Sequence, residues 1–187
     1  MVTIQPVETS SQLEGILELQ RRNLRRHLAE AEAAEQGFLI AEYDLAYLEQ
    51  MHRQHPSVIA VEDGRVVGYA LVITREVHNG HPFVAALFDA IDGLSHRGMA
   101  LADTEYVVVG QLCVDRDHRG QGLVERLYGG FRESLQGRYR CGVTDIARAN
   151  RRSLKAHQRV GFEVIHEIEC QGLVWDVVLW DWSLTER

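Results

Sequence analysis

Between Tyr106 and Leu135 the chain passes from a β-like run, through a turn holding Gly120 and Gly122, directly into a helical pattern. The β-like run carries Val107, Val108, Val109, Leu112, Cys113 and Val114. The helical face carries Leu123, Leu127, Tyr128, Phe131 and Leu135. A strand that feeds a helix this closely needs neighbouring strands to pair with and a sheet face for the helix to cover. The turn between them also has chemical meaning. The first amides of a helix lack intrahelical partners, and the helix dipole adds partial positive charge there. Glycines let a bulky group approach that backbone. The segment is therefore an anion cradle, suited to a phosphate or pyrophosphate.

Two other phosphate-binding loops do not fit. The dinucleotide fingerprint G-x-G-x-x-G fails, because Glu125 stands where Gly120 and Gly122 would require a third glycine. The loop ending in Gly-Lys-Ser/Thr is absent, and Lys155 is the chain's single lysine.

Hydrophobic period orders the rest. Val2 to Val7 reads as a strand. Thr9 and Gln12 form a capping-box pattern that opens a helix, with Leu13, Ile16, Leu17, Gln20, Leu24 and Leu28 at helical spacing. A small-residue, acidic stretch from Ala29 to Gly37 follows. Asp44 caps a second helix with Leu45, Leu48 and Met51 on one face. Ser57 to Glu62 and Arg65 to Thr74 form a hairpin around Asp63-Gly64. Residues 75–104 read as an insertion of loop, short helix and loop. Gly129 and Gly130 weaken the helix after the cradle by about 1 kcal/mol each relative to alanine. Arg140 to Ile146 is a strand, Asn150 opens a short helix, and Gly161 stops it. Phe162 to Cys170 and Leu173 to Trp182 are strands joined at Gln171-Gly172. The expected fold is a single α/β domain over residues 1–187, with a mixed, mostly antiparallel sheet of about seven strands and helices on both faces.

With the motifs in this order, the chain resembles the GNAT N-acetyltransferase superfamily. Arg119-Gly120-Gln121-Gly122-Leu123-Val124 is similar to its pyrophosphate loop, Arg/Gln-x-x-Gly-x-Gly/Ala, met at Arg119 and Gly122 and missed at Val124. Gln111-Leu112-Cys113-Val114 is similar to the strand that pairs with the pantetheine arm. Asn150 to Gly161-Phe162 resembles the family's second signature, an Asn, a short helix and Gly-Phe. The resemblance covers Ser57 to Trp182 well, and Met1 to Pro56 by element order only.

The resemblance implies acetyl-CoA as co-substrate, no metal, and direct attack by a primary amine of a small molecule or peptide. It places Leu112, Cys113, Val114, Arg119, Gly120, Gln121, Gly122, Leu123, Val124, Asn150 and Ser153 at the cofactor. His157 stands four residues before Gly161, where the family often has a tyrosine that protonates the leaving thiolate, and imidazole titrates in the right range for that task. Packing beside the cofactor is the alternative for His157. Glu105, before the central strand, is the expected site of a base, with Asp145 as the other choice. For both, a solvated strand-end carboxylate is the plainer reading. A non-catalytic acyl-CoA-binding or regulatory module of the same fold is the alternative function.

Acceptor specificity is expected from Asn23 to Met51 and Arg75 to Thr104. Those segments hold Glu30, Glu32, Glu35, Glu42, Asp44, Glu76, Asp89 and Asp92, and an acidic rim would favour a cationic amine. A solvated surface is the plainer reading of the same residues. His78 and His81 read as a polar loop, because no third ligand has useful spacing.

The formal charge of −7 argues against a surface built for nucleic acid. It is unevenly spread. Arg116 to Arg159 holds eleven Lys and Arg against four acids, a net +7, and the remainder carries −14. The basic part coincides with both cofactor signatures. Three widely spaced cysteines suggest no disulfide framework and a reducing cytoplasm. No signal-peptide pattern opens the chain, and no apolar run is long enough for a membrane helix. A homodimer through the final hairpin is left open.

Overall fold

The computed structural model describes residues 1–30, 37–170 and 172–185. Of the sequence features above, Glu32, Glu35, Gln171 and most of the acidic stretch before Gly37 lie outside the described residues. Seven strands form one sheet: β1 (Thr3–Pro6), β2 (Val58–Glu62), β3 (Arg65–Ile73), β6 (Tyr106–Val114), β7 (Cys141–Ala147), β8 (Glu163–Cys170) and β9 (Leu173–Asp181). Their order is β1-β2-β3-β6-β7-β9-β8, and β6–β7 is the parallel pair. The Asp63-Gly64 hairpin forms as its sequence requires, with both residues at positive φ.

Helices cover both faces. On one face lie α1 (Ser10–Asn23), α2 (Leu45–Gln54) and α3 (Pro82–Asp92), packed on Tyr69, Leu71, Val108 and Val143. On the other lies α4 (Leu123–Leu135), packed on Val67, Val72, Val107 and Val178. The short α5 (Arg151–Val160) follows β7. The Thr9–Gln12 capping box and the Asp44 cap both form. Gly130 earns its place by contact: a Cβ there would stand 3.1 Å from Ile4 and 3.2 Å from Val58, so α4 sits tight on β1 and β2. Gly129 has no such neighbour.

Two elements differ from expectation. Helical spacing runs on to Leu28, yet α1 ends at Asn23 and a 3-10 turn follows at Arg25–His27. The reason is pairing across the chain. Leu39 N–H donates to the Asn23 carbonyl at 2.9 Å, and Arg25 N–H donates to the Leu39 carbonyl at 2.8 Å. The insertion at 75–104 is also more ordered than loop, short helix and loop. Pro82 starts α3, His81 Nδ1 accepts from Phe83 N–H, and Val84, Leu87, Phe88 and Ile91 enter the core. A small hairpin, β4 (Ser95–His96) with β5 (Met99–Ala100), follows.

The element that makes the site is a bulge in β6. Ala70 pairs with Leu112, but Val72 pairs with Val109, so Gly110 and Gln111 together oppose Leu71. The extra residue reverses the alternation. Val107 and Val109 face α4, and beyond the bulge Leu112 and Val114 face α4 too. Gly110 lets the strands pack closely here: a Cβ would lie 2.3 Å from Ile73 Cδ1, and the Ile73 side chain would have to shift. Past the bulge β6 leaves its parallel neighbour. Pairing with β7 stops at Val108–Val143, and Thr144 Oγ1 then donates to the Val109 carbonyl at 2.8 Å.

Candidate active site

The parting of β6 from β7 opens a cavity of about 600 Å³. It reaches both sheet faces. Val124, Arg152 and Lys155 line it beside α4 and α5, and Phe83, Asp145 and Trp175 line it on the side of α1 to α3.

At the first end the cradle forms as its sequence requires. Gly120 and Gly122 have φ of +76° and +72°, and Gly122 stands directly before α4. A Cβ at either would have no neighbour within 4 Å, so the backbone there is open to a ligand. Asp115 braces the preceding turn, accepting from Asp117 N–H at 3.1 Å and pairing with Arg22 at 3.2 Å. Arg119 donates to Asn23 Oδ1 at 2.6 Å and to the Val114 carbonyl at 3.1 Å, which ties the cradle to the end of α1. Arg152, Lys155 and Arg159 project from α5 into the same wall. The open glycine backbone, the helix N-terminus and this cationic wall fit a pyrophosphate.

The middle of the cavity runs along β6 from Gly110 to Val114, where no β7 partner occupies that edge. The bulge is locked from the side of α1. Tyr43 donates to the Gly110 carbonyl at 3.0 Å. Gln111 donates to the Ala41 carbonyl at 2.8 Å and accepts from Tyr69 at 2.6 Å. Burial pushes the Cys113 thiol up to about 12, so it is a neutral wall residue and no nucleophile.

Leu112, Cys113, Val114, Arg119, Gly120, Gly122, Leu123, Val124, Asn150, Ser153 and His157 all line this one cavity. Gln121 does not, because its side chain turns back to the Asp117 carbonyl. Asn150 is buried and caps α5, accepting from Ser153 N–H at 3.3 Å and donating to the Phe38 carbonyl at 3.0 Å. His157 is buried at 3% exposure. Its Nδ1 meets the Ser153 carbonyl at 2.8 Å and its Nε2 meets the Tyr128 hydroxyl at 2.6 Å. A carbonyl only accepts, so Nδ1 carries the proton and Nε2 accepts from Tyr128. Burial lowers this imidazole to about 4.

The two carboxylates separate clearly. Glu105 is exposed before β6 and outside the cavity lining. Asp145 lies in the wall, half-buried, and burial pushes its carboxyl up to about 7.

Residues 15–162 match the model of the acetyltransferase (GNAT) family. The chain belongs to the GNAT family of acetyltransferases. Solved GNAT structures share its fold along nearly their whole length. An N-acetyltransferase from Staphylococcus aureus Mu50 superposes with a TM-score of 0.63 at 19% identity, covering 97% of this chain and 98% of its own. yncA from Salmonella typhimurium, solved with its cofactor acetyl-CoA, gives 0.62 at 19% identity, covering 97% and 94%. The ribosomal-protein-S18-alanine N-acetyltransferase from Escherichia coli gives 0.63 at 11% identity, covering 97% and 94%. No curated protein matches the sequence.

Gly110 was not singled out by the sequence, while Phe83 and Phe38 to Ala41 fall inside the two segments expected at the acceptor without being named there. A glycine inside a valine-rich strand is a bulge signal and could have marked Gly110. Phe83 could not be placed without α3. Among the described residues no helix is long and apolar enough to cross a membrane, and no group of three His, Cys, Asp or Glu is arranged to hold a metal.

Proposed function

We propose that this chain transfers an acetyl group from acetyl-CoA to a primary amine. One observation carries the reading: a single cavity passes through the sheet, with a cationic glycine cradle at one end and, among the described residues, one half-buried carboxyl at the other. When bound, acetyl-CoA supplies the acyl group and the thiolate leaving group. Gly120, Gly122 and the first turn of α4 would receive the pyrophosphate, with Arg119, Arg152, Lys155 and Arg159 balancing its charge. The unpaired edge of β6 would hold the pantetheine amides as a strand holds its neighbour.

Held this way, the thioester would lie near the bulge within reach of the second end of the cavity. An amine arriving there attacks the carbonyl carbon. A C–N bond forms, the C–S bond breaks, and one amine proton ends on the departing sulfur. His157 has a positioning role. Its single proton is held by the Ser153 carbonyl, and it fixes the Tyr128 hydroxyl under the cofactor wall.

The test is a calorimetric titration with CoA, followed by acetyl-CoA-dependent thiol release with a panel of amines. CoA binding and amine-dependent release support the reading. Tight CoA binding with no release on any amine would point to an acyl-CoA-binding module instead.

A further inference from the structure

Among the described residues, none of the acids expected to form an acidic rim lines the cavity. Glu42 pairs with Arg26, Glu76 with Arg138, and Asp92 with Arg75. Asp44 caps α2 by accepting from Tyr47 N–H, and Asp89 lies exposed on α3. Among the described residues, the acids in the cavity wall are Glu125 and Asp145. Glu125 sits at the cradle end and faces Arg159 at 3.3 Å.

The opposite end is built differently. Side chains alternate along a strand. Cys141 and Val143 face α1 to α3, so Asp145 continues on that face. Val177 and Leu179 of β9 share it, and so does Trp175. Phe83 comes down from α3 and meets Trp175 edge to face, with centroids 5.1 Å apart. Ile40 and Ala41 complete the wall. This end therefore offers apolar and aromatic surface around one carboxyl group.

We infer that the acceptor is a primary amine carried on an aromatic or branched apolar group, with its nitrogen at Asp145 and its apolar part against Phe83 and Trp175. The inference rests on the acetyl-transfer reading above. The surface excludes a polycation on physical grounds. A second ammonium would be desolvated against Phe83 and Trp175, with no second carboxylate among the described residues of that wall to meet it. The proton balance is simple. The arriving ammonium gives one proton to the Asp145 carboxylate and becomes the free amine. After attack its second proton leaves with the thiol.

The test compares kcat/KM for phenethylamine and isoamylamine with that for spermidine and free lysine, at saturating acetyl-CoA. The apolar amines should be preferred by about tenfold or more. Phe83→Ala should raise KM for phenethylamine by about fivefold and leave KM for acetyl-CoA within about twofold, while Phe83→Leu, which keeps an apolar wall, should restore most of the loss. Preference for spermidine or lysine overturns this inference and leaves the transfer reading standing, as does an unchanged KM in Phe83→Ala. Thiol release with none of the amines overturns both.

Discussion

Tyr128 and His157 are joined by a 2.6 Å hydrogen bond inside the core, with Tyr128 fully buried and His157 nearly so. The bond links α4, which begins at the glycine cradle, to α5, which lines the cavity. It gives the histidine at position 157 a place in the packing of the two helices. The imidazole serves the packing of two helices, and its neutral form is the one the core accepts.

Replacing His157 by phenylalanine should therefore cost stability more than chemistry. The Tyr128 hydroxyl and the Ser153 carbonyl lose their partner, which costs about 1–3 kcal/mol. Turnover at saturating acetyl-CoA should change by less than about threefold. The native imidazole takes its proton only near pH 4, whereas the unfolded one takes it at 6.5. Between those values the unfolded chain binds more protons, so this residue's contribution to stability falls as pH falls. Urea unfolding at pH 7 and pH 5 should show that acid sensitivity reduced in His157→Phe.

Asp145 titrates in the opposite sense. Its native carboxyl holds a proton up to about pH 7, against 3.8 unfolded, so its contribution to stability is fully present below pH 4 and is lost as pH rises through 7. Asp145→Asn should raise the melting temperature at pH 8 relative to the wild type and gain less at pH 5. If Asp145 accepts the ammonium proton, kcat/KM rises through pH 7 in the wild type, and that limb is lost in the asparagine variant.

At the bulge, Gly110→Ala places a methyl group 2.3 Å from Ile73 Cδ1 in a fully packed strand. Overpacking of this kind costs about 1–3 kcal/mol. The same change would strain the Tyr43 and Gln111 ties. Chemical unfolding measures the first effect, and a rise in KM for acetyl-CoA measures the second.

Much of the fold was legible because it is local. The Thr9–Gln12 box, the Asp63-Gly64 turn, the Gly120–Gly122 cradle and the Gly161 stop each carry their conformation in adjacent residues. The gathering of most of the residues expected at the cofactor around one cavity was legible for the same reason, since they sit on two short continuous runs. The end of α1 was not, because Leu39 decides it from a distant segment. Nor was the choice between Glu105 and Asp145. Sequence places both at strand ends, and only the parting of β6 from β7 puts Asp145 in a cavity and leaves Glu105 in solvent. The −7 total hid a similar division. Arg138, Arg140 and Arg148 from the basic segment pair with acids elsewhere, while Arg119, Arg152, Lys155 and Arg159 reach the cavity.

The cradle makes a direct claim about affinity. Arg119→Ala removes a cation from the cavity wall together with its tie to Asn23. CoA affinity should fall by about tenfold, with a weaker dependence on salt than in the wild type. Competition titrations at two ionic strengths would measure both.

The central claim is acyl transfer through the sheet, and one measurement meets it most directly. The protein is loaded with acetyl-CoA, mixed with phenethylamine or another amine of the panel, and sampled by mass spectrometry for the N-acetylated amine. The result expected is product that accumulates with equal release of free CoA and disappears in Gly122→Val, which strains a backbone at φ of +72° and sets an isopropyl group in the open space proposed for the pyrophosphate. Acetyl-CoA left intact with every amine, or product formed equally well by the Gly122→Val variant, would contradict it.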